Sequence, residues 1–206
     1  MTQKRAREIM GKNFFGVEEA AKCFGFDNSV WVLEIPFTET TLEECKDTHI
    51  LIAVFPISIT GIRSKVGSEL LPIHSFFSNF EYCNESFAND SGKDEWQLVK
   101  KVPVSNSIKK NRIEQEALLS VNEFVPSTRV MVYAIVGYYS TTGERMFKDI
   151  GIRCSDVDDG GCCKVHINPI YIPGEIAIRI GVPWTNERSS GIGIASARSP
   201  NDKPLS

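Results

Sequence analysis

The sequence predicts an α+β protein with two parts, a mostly helical N-terminal region (residues 1–92) and a β-rich C-terminal domain (residues 93–206) that contains one long buried helix. Apolar residues recur at helical spacing near the N terminus, whereas after Ile150 they form short alternating runs between turn residues. A polar stretch with turn chemistry, residues 87–94, separates the two parts. The net charge is −5 up to residue 92 and +2 beyond it, which supports a boundary there.

The N-terminal region begins with helical spacing and contains one buried strand. Apolar side chains between residues 8 and 24 fall near one helical face, and Gly25 follows as a C-terminal cap. Residues 29–35 fit either a short helix or a strand, because N-cap residues precede a segment rich in Val and Trp. Residues 40–46 are acidic at their start, which favours a helix. Residues 49–55 are apolar and precede a proline, which predicts a buried strand.

The C-terminal domain contains both the helical and the strand spacing of apolar residues. Residues 96–104 predict a strand, and residues 113–119 predict one or two helical turns. Residues 125–142 carry a helix-start signal and are followed by Gly143, but they are rich in β-branched side chains. Because the run is long for a single strand, we favour a buried helix. From residue 150 onward we predict short strands separated by Asp-Gly, Asn-Pro, Pro-Gly and Ser-Ser turns.

The amino-acid composition indicates which classes of partner the protein is expected to bind. The 206 residues are 42% hydrophobic and carry a net charge of −3, whereas nucleic-acid-binding proteins usually carry a basic excess. Nucleic acid is therefore not an expected partner. One segment, residues 93–112, is basic, with six basic and two acidic side chains, and we interpret it as a solvated surface.

The lengths of the apolar runs in the sequence predict where in the cell the protein is located. The first thirty residues lack the apolar run of a signal peptide, and 18 consecutive apolar residues occur nowhere in the sequence. We therefore expect a cytoplasmic protein that does not contact a membrane. In that compartment the six cysteines are expected to be reduced thiols.

Four potential metal or thiol ligands cluster at Cys154, Cys162, Cys163 and His166. If the Asp159-Gly160 turn centres a hairpin, paired residue numbers sum to 319, and Cys162 and His166 then face away from Cys154 and Cys163. Cys162 and His166 would lie about 13 Å apart along the strand, which is too far for one metal ion. We therefore predict no metal and keep a metal- or thiol-dependent enzyme at these four residues as the alternative function.

No other motif in the sequence predicts a cofactor or a catalytic group. Residues 156–161 (DVDDGG) open like a calcium loop, but Ile167 stands where the closing glutamate is needed, so we interpret them as an acidic hairpin turn. The sequence lacks a nucleophile elbow, a phosphate loop, a dinucleotide fingerprint and a zinc-protease motif. His74 is the histidine least tied to an apolar strand, and it has no partner motif.

Residues 16–25 (GVEEAAKCFG) are similar to the first helix of a helix-turn-helix in excisionase- and MerR-like regulators. In those regulators a basic or polar recognition helix follows and reads the major groove. Here residues 28–35 contain no Lys or Arg, although phosphate neutralisation supplies much of the affinity for DNA. A DNA-binding regulator is therefore the third hypothesis, and we interpret residues 16–25 as an amphipathic packing helix.

Residues 120–198 resemble a C-type-lectin-like fold. VPSTRVMVYA at 125–134 resembles the helix start "LPT…EW.YA" of the formylglycine-generating-enzyme-like and diversified variable proteins, with Val-Met-Val in place of the Glu-Trp core. Residues 191–198 are similar to the "GFR" terminus of that family, with Ile194-Ala195 where Phe-Arg is expected. The whole chain also resembles an uncharacterised bacterial protein family, which implies no activity.

The lectin-like resemblance implies a scaffold whose irregular loops display a binding surface. Residues 183–190 (PWTNERSS) fit this role, because Trp and Arg are frequent interface anchors and Asn adds adaptable hydrogen bonds. We therefore predict a non-enzymatic binding module that presents Trp184, Asn186 and Arg188 to a protein or a small-molecule ligand.

Overall fold

The computed structural model describes residues 1–27, 29, 31, 34–67, 82–148, 150–161, 164–172, 175–181 and 188–200. Both predicted parts contain helices and strands in this portion of the chain, so the α+β class is confirmed. The helices are α1 (Gln3–Met10), α2 (Val17–Phe24), α3 (Glu39–Cys45), α4 (Ile59–Val66), α5 (Ser86–Asn89), α6 (Arg112–Glu116) and α7 (Thr128–Thr142). The strands are β1 (Phe14–Phe15), β2 (His49–Val54), β3 (Glu95–Lys100), β4 (Glu123–Phe124), β5 (Gly151–Val157), β6 (Lys164–Ile172), β7 (Glu175–Gly181), β8 (Ile192–Ile194) and β9 (Ala197–Arg198).

The described strands form two mixed sheets. The first has the order β1-β2-β3-β9-β4, in which β1 and β2 are parallel and the other pairs are antiparallel. The second has the order β7-β6-β5-β8, in which only β5 and β8 are parallel. Strands β8 and β9 are consecutive in the chain, so the C-terminal segment passes from the second sheet into the first.

The predicted buried strand is confirmed as β2, all six residues of which are buried. It pairs with β3 in a continuous register from His49↔Lys100 to Val54↔Glu95. This pairing crosses the predicted boundary at residue 92, and buried side chains from both sides of that boundary belong to one apolar cluster.

The N-terminal helical pattern corresponds to two helices with a short strand between them, not to one continuous helix. Gly11 ends α1 in a positive-φ conformation (53°), and Phe14 and Phe15 then pair with Leu51 and Ile52 of β2. Helix α2 ends at Gly25, which adopts the left-handed conformation expected of a C-terminal cap. The helix buries Val17, Ala20 and Phe24 and contacts α7. Among residues 29–35, positions 30, 32 and 33 lie outside the described residues, so the choice between helix and strand stays open.

The predicted long buried helix is confirmed as α7. The Ser127 hydroxyl accepts a hydrogen bond from the Val130 amide at its start, and Gly143 ends it in the left-handed conformation. Eleven of its fifteen residues are buried, among them the β-branched side chains that made the sequence ambiguous. Tertiary packing therefore overrides β propensity here, because a helix that is apolar on all sides is stable inside a core.

Gly137 brings α7 into close contact with β1. A Cβ atom at this position would lie 2.7 Å from Phe15 Cζ, and the Phe15 ring is held edge-on by Phe24 and Tyr133. We therefore expect Gly137→Ala to destabilise the protein by about 1–2 kcal/mol despite the higher helix propensity of alanine. Chemical denaturation measures this change in the free energy of unfolding.

The control for this prediction is the same change in a Phe15→Leu background. Leucine removes the ring atoms that a new methyl group would meet, so Gly137→Ala should cost almost nothing there. An equal cost in both backgrounds would show that the contact between Gly137 and Phe15 does not limit the packing of α7.

In the second sheet the predicted hairpin at Asp159-Gly160 is confirmed, but one predicted turn is wrong. Ile152↔Ile167 and Arg153↔His166 follow the predicted register, and a bulge shifts it by Val157↔Lys164. Asn168-Pro169 was predicted as a turn, but β6 continues through it to Ile172. This half of β6 extends past its register with β5 and pairs with β7, and a strand edge of this kind tolerates a proline.

Other predicted bounds need small corrections. The strand predicted over residues 96–104 ends at Lys100, and the helical turns predicted over 113–119 are α6, which begins one residue earlier and ends at Glu116. None of the helices in the described residues has both the length and the apolar character needed to cross a bilayer.

Candidate functional site

Of the three predicted binding residues, Arg188 is described, whereas Trp184 and Asn186 lie outside the described residues. Arg188 is exposed, and its Nη2 lies 2.5 Å from Glu114 Oε1 of α6. The next residue, Ser189, accepts a hydrogen bond at its carbonyl oxygen from the Lys109 amide (2.9 Å). These two contacts connect the segment around Arg188 to α6 and to the chain that precedes it.

An open cleft of about 630 Å³ lies in that part of the molecule. Its lining consists of seven of the eight residues from 103 to 110 together with Ile150. The lining combines apolar side chains with two lysines, Lys109 and Lys110. The basic segment, interpreted from sequence as a solvated surface, therefore supplies one wall of a concave site.

Backbone strain is concentrated beside the cleft. In the described part of the chain, the non-glycine residues with positive φ are Asn106 (62°), Lys109 (63°), Phe147 (60°) and Lys148 (41°). The first two line the cleft, and the other two form the turn that precedes Ile150, whose amide donates to the Phe147 carbonyl (3.1 Å). Each such residue costs about 1–2 kcal/mol, and strain of this kind is common at ligand-binding sites.

A buried polar network holds the cleft wall from behind. Arg153 of β5 has no exposed surface, and its Nη1 donates to the Lys110 carbonyl (3.2 Å) and to Gln115 Oε1 (2.8 Å). Gln115 Nε2 in turn donates to the carbonyl oxygens of Ser107 (2.7 Å) and Ile192 (3.1 Å). One arginine and one glutamine thus connect the wall to both β5 and β8.

The same wall packs against Gly193 of β8. A Cβ atom at Gly193 would lie 2.7 Å from Pro103 Cβ and 2.8 Å from Ser107 Oγ, so only glycine permits this approach. The neighbouring Ile194 bonds the wall through its backbone, since its carbonyl accepts from the Val104 amide (3.1 Å) and its amide donates to Ser107 Oγ (3.2 Å). The wall is therefore held by backbone and side-chain bonds together.

The cysteine-rich hairpin is only partly described, because Cys162 and Cys163 lie outside the described residues. Cys154 is fully buried, and burial raises the pKa of its thiol far above the ordinary value, so it is a thiol at neutral pH. His166 pairs with Arg153, which places it on the strand face opposite to Cys154. Burial lowers the pKa of His166 to about 4. Among the residues that the structure describes, no cluster of three or more His, Cys, Asp or Glu side chains could hold a metal ion.

The acidic turn beside this hairpin bonds to two helices. Asp156 Oδ2 accepts from the Thr128 amide in the first turn of α7 (2.5 Å). The Asp159 carboxylate accepts from the Ser86 amide (3.1 Å) and from the Ser86 hydroxyl at the start of α5. These bonds satisfy helix N-terminal donors and agree with the interpretation of this segment as an acidic turn.

A second polar cluster, which the sequence analysis did not identify, lies at one end of the first sheet. It joins Cys45 of α3, His49 of β2, Lys100 of β3, Glu123 of β4 and Arg198 of β9. Arg198 Nη1 donates to Cys45 Sγ (3.4 Å), and Lys100 Nζ lies 3.6 Å from Glu123 Oε1. Burial raises the pKa of the Cys45 thiol and lowers the pKa of His49 to about 4, so both groups are neutral at pH 7.

No family model, curated protein or solved structure matches this chain. The resemblance of residues 120–198 to C-type-lectin-like proteins therefore stays a prediction, as do the roles of Trp184 and Asn186.

Proposed function

We propose that this chain is a non-enzymatic binding protein whose ligand site is the cleft lined by residues 103–106, 108–110 and Ile150, extended by the segment around Arg188. The observation that carries the proposal is the support of the strained wall by the buried Arg153–Gln115 network. A wall held in this way is arranged before any ligand arrives, and preorganisation of this kind lowers the entropic cost of binding.

The size of the cleft favours a small ligand over a protein partner. Sites for small molecules usually measure about 300–1,000 Å³, and the cleft volume of about 630 Å³ falls within that range. Stable protein–protein contacts need broader surfaces of about 800 Å² on each partner. The cleft is also open, so a ligand reaches it without movement of the core.

A fragment screen by amide NMR tests the proposal. A library of several hundred small molecules of mixed charge is titrated into uniformly ¹⁵N-labelled protein. We expect the hits to shift the amides of residues 104–110, Ile150 and 188–190 together, since the first two segments line the cleft and Lys109 is hydrogen-bonded to Ser189. A screen whose hits all shift other amides, or that gives no hits, contradicts the proposal.

Variants of the loop residues test the predicted extension of the site. If Trp184 and Arg188 contribute, Trp184→Ala/Arg188→Ala should weaken the best hit by about tenfold or more, the typical effect of losing interface anchors. The matched control is Arg5→Ala on α1, because Arg5 is also an exposed arginine paired with a glutamate, Glu39 (2.8 Å). If the double variant binds the hit as tightly as the Arg5→Ala control, the loop is not part of the ligand site. The proposed role of the cleft would be unaffected.

A further inference from the structure

We infer that the cleft selects anionic ligands, namely small molecules with an apolar body and a carboxylate or phosphate group, an inference that rests on the proposed binding function. Two cations, Lys109 and Lys110, belong to the lining, and no acidic residue occurs among the lining residues that the structure describes. The described lining of the cleft is therefore positively charged, although the net charge of the protein is −3.

Two carboxylates near the cleft, among the residues that the structure describes, form ion pairs with guanidinium groups. Glu114 pairs with Arg188 (2.5 Å), and Glu116 pairs with Arg112 (2.6 Å). Lys110 also attracts Glu114 and helps to lower its pKa. Both lysines still belong to the lining, where water or counter-ions screen them in the absence of a ligand.

Arg153 holds the backbone of one of these lysines from behind the wall. Its guanidinium has no exposed surface and donates to the Lys110 carbonyl (3.2 Å) and to Gln115 Oε1 (2.8 Å). The backbone position of Lys110 is therefore set before a ligand binds, which lowers the entropic cost of binding.

The remaining lining residues indicate the body of the ligand. Pro103, Val104, Ile108 and Ile150 are apolar, while Ser105 and Asn106 supply polar groups. Apolar walls next to two ammonium groups favour a ligand that has both an apolar body and an anionic group. Lysine, as a point charge, accepts either a carboxylate or a phosphate.

Matched pairs of probes test this inference. Hexanoate is compared with hexanamide, and hexyl phosphate with hexanol, by titration of the cleft amides in NMR spectra at 50 mM NaCl. We expect each anion to bind at least about tenfold more tightly than its neutral counterpart, because two ammonium groups near a ligand charge contribute more than 1.4 kcal/mol even with strong screening. Raising the NaCl concentration to 500 mM should reduce this preference, and the tighter of the two anions identifies the preferred head group.

The variant Lys109→Gln/Lys110→Gln should abolish the preference for anions. The variant Lys4→Gln/Lys22→Gln changes the net charge by the same amount at two exposed lysines on α1 and α2 and should leave the preference unchanged. The single variant Lys109→Gln changes an exposed side chain and leaves Lys110 in place. It should reduce the preference for anions by half or more.

Two results would overturn the inference. Equal binding of the anionic and neutral probes in the cleft would reject charge selection and leave the proposed binding function standing. Anions that bind with the same preference after both lysines are replaced would place their recognition elsewhere. The fragment screen, which includes neutral compounds, tests the proposed function separately.

Discussion

Acidification from pH 7.5 to pH 5 is expected to lower the free energy of unfolding by about 4 kcal/mol, about 2 kcal/mol from each of two histidines, the buried His49 and the half-buried His166. His49 and His166 both have a pKa lowered to about 4, chiefly by burial. Lys100, Arg198 and Lys101 lower the His49 value further and Glu123 opposes them. For His166, Arg153 lowers the pKa and a backbone bond to Gly181 raises it.

The sign of the effect follows from proton binding. In the unfolded chain a histidine has a pKa of about 6.5, so between pH 6.5 and pH 4 it binds a proton that the folded protein does not bind. The stabilisation is therefore complete above about pH 6.5 and is lost as the pH falls toward 4. Half-buried carboxylates such as Glu123, whose pKa is lowered, contribute mainly at more acidic pH.

Urea denaturation at several pH values from 7.5 to 5 measures this loss. The double variant His49→Gln/His166→Gln should lose most of the pH dependence, whatever its stability at pH 7.5. Each single variant should lose about half. If the double variant keeps the full pH dependence of the natural chain, the two histidines do not have the lowered pKa values that the prediction requires.

The second large effect is expected from Gln115→Leu, which should destabilise the protein by about 3 kcal/mol. The change removes one acceptor of the buried Arg153 guanidinium and the donor that serves the carbonyl oxygens of Ser107 and Ile192. A buried charge that loses a partner is costly because water cannot replace the lost bond. The unfolding midpoint in urea and the thermal midpoint both measure the change.

Gln97→Leu provides the matched control. Gln97 is also a buried glutamine, but its Nε2 bonds to the half-buried Glu95 carboxylate, and its Oε1 has no hydrogen-bond partner. The same substitution there should cost within about 1 kcal/mol. Equal losses at both positions would mean that the Arg153–Gln115 network contributes no more than an ordinary buried glutamine.

Local signals in the sequence correctly predicted several elements. The Ser127 cap and Gly143 define α7, the apolar run before Pro56 defines β2, and the Asp159-Gly160 turn joins β5 and β6 in an antiparallel hairpin. Each of these features depends on neighbouring residues, so a single sequence carries the information. The insertion of β9 between β3 and β4 depends on contacts between distant residues, for which a single sequence contains no local signal.

The candidate site was harder to predict for a physical reason. Arg153 lies between Ile152 and Cys154, and all three are buried, although a charged residue is rarely found in such a position. Turn chemistry at Ser105-Asn106 is a local signal for the positive φ of Asn106, but nothing in the sequence marks Lys109. Lysines on a surface and lysines in a cleft have the same sequence pattern, and only the fold distinguishes them.

The most direct test of the ligand site is a crystal structure of the protein with the tightest-binding probe or fragment. We expect the compound to lie in the cleft, with its anionic group within hydrogen-bond distance of the Lys109 or Lys110 ammonium and its apolar part against Ile108 and Ile150. A compound bound at another surface, with the cleft empty, would contradict the proposed ligand site.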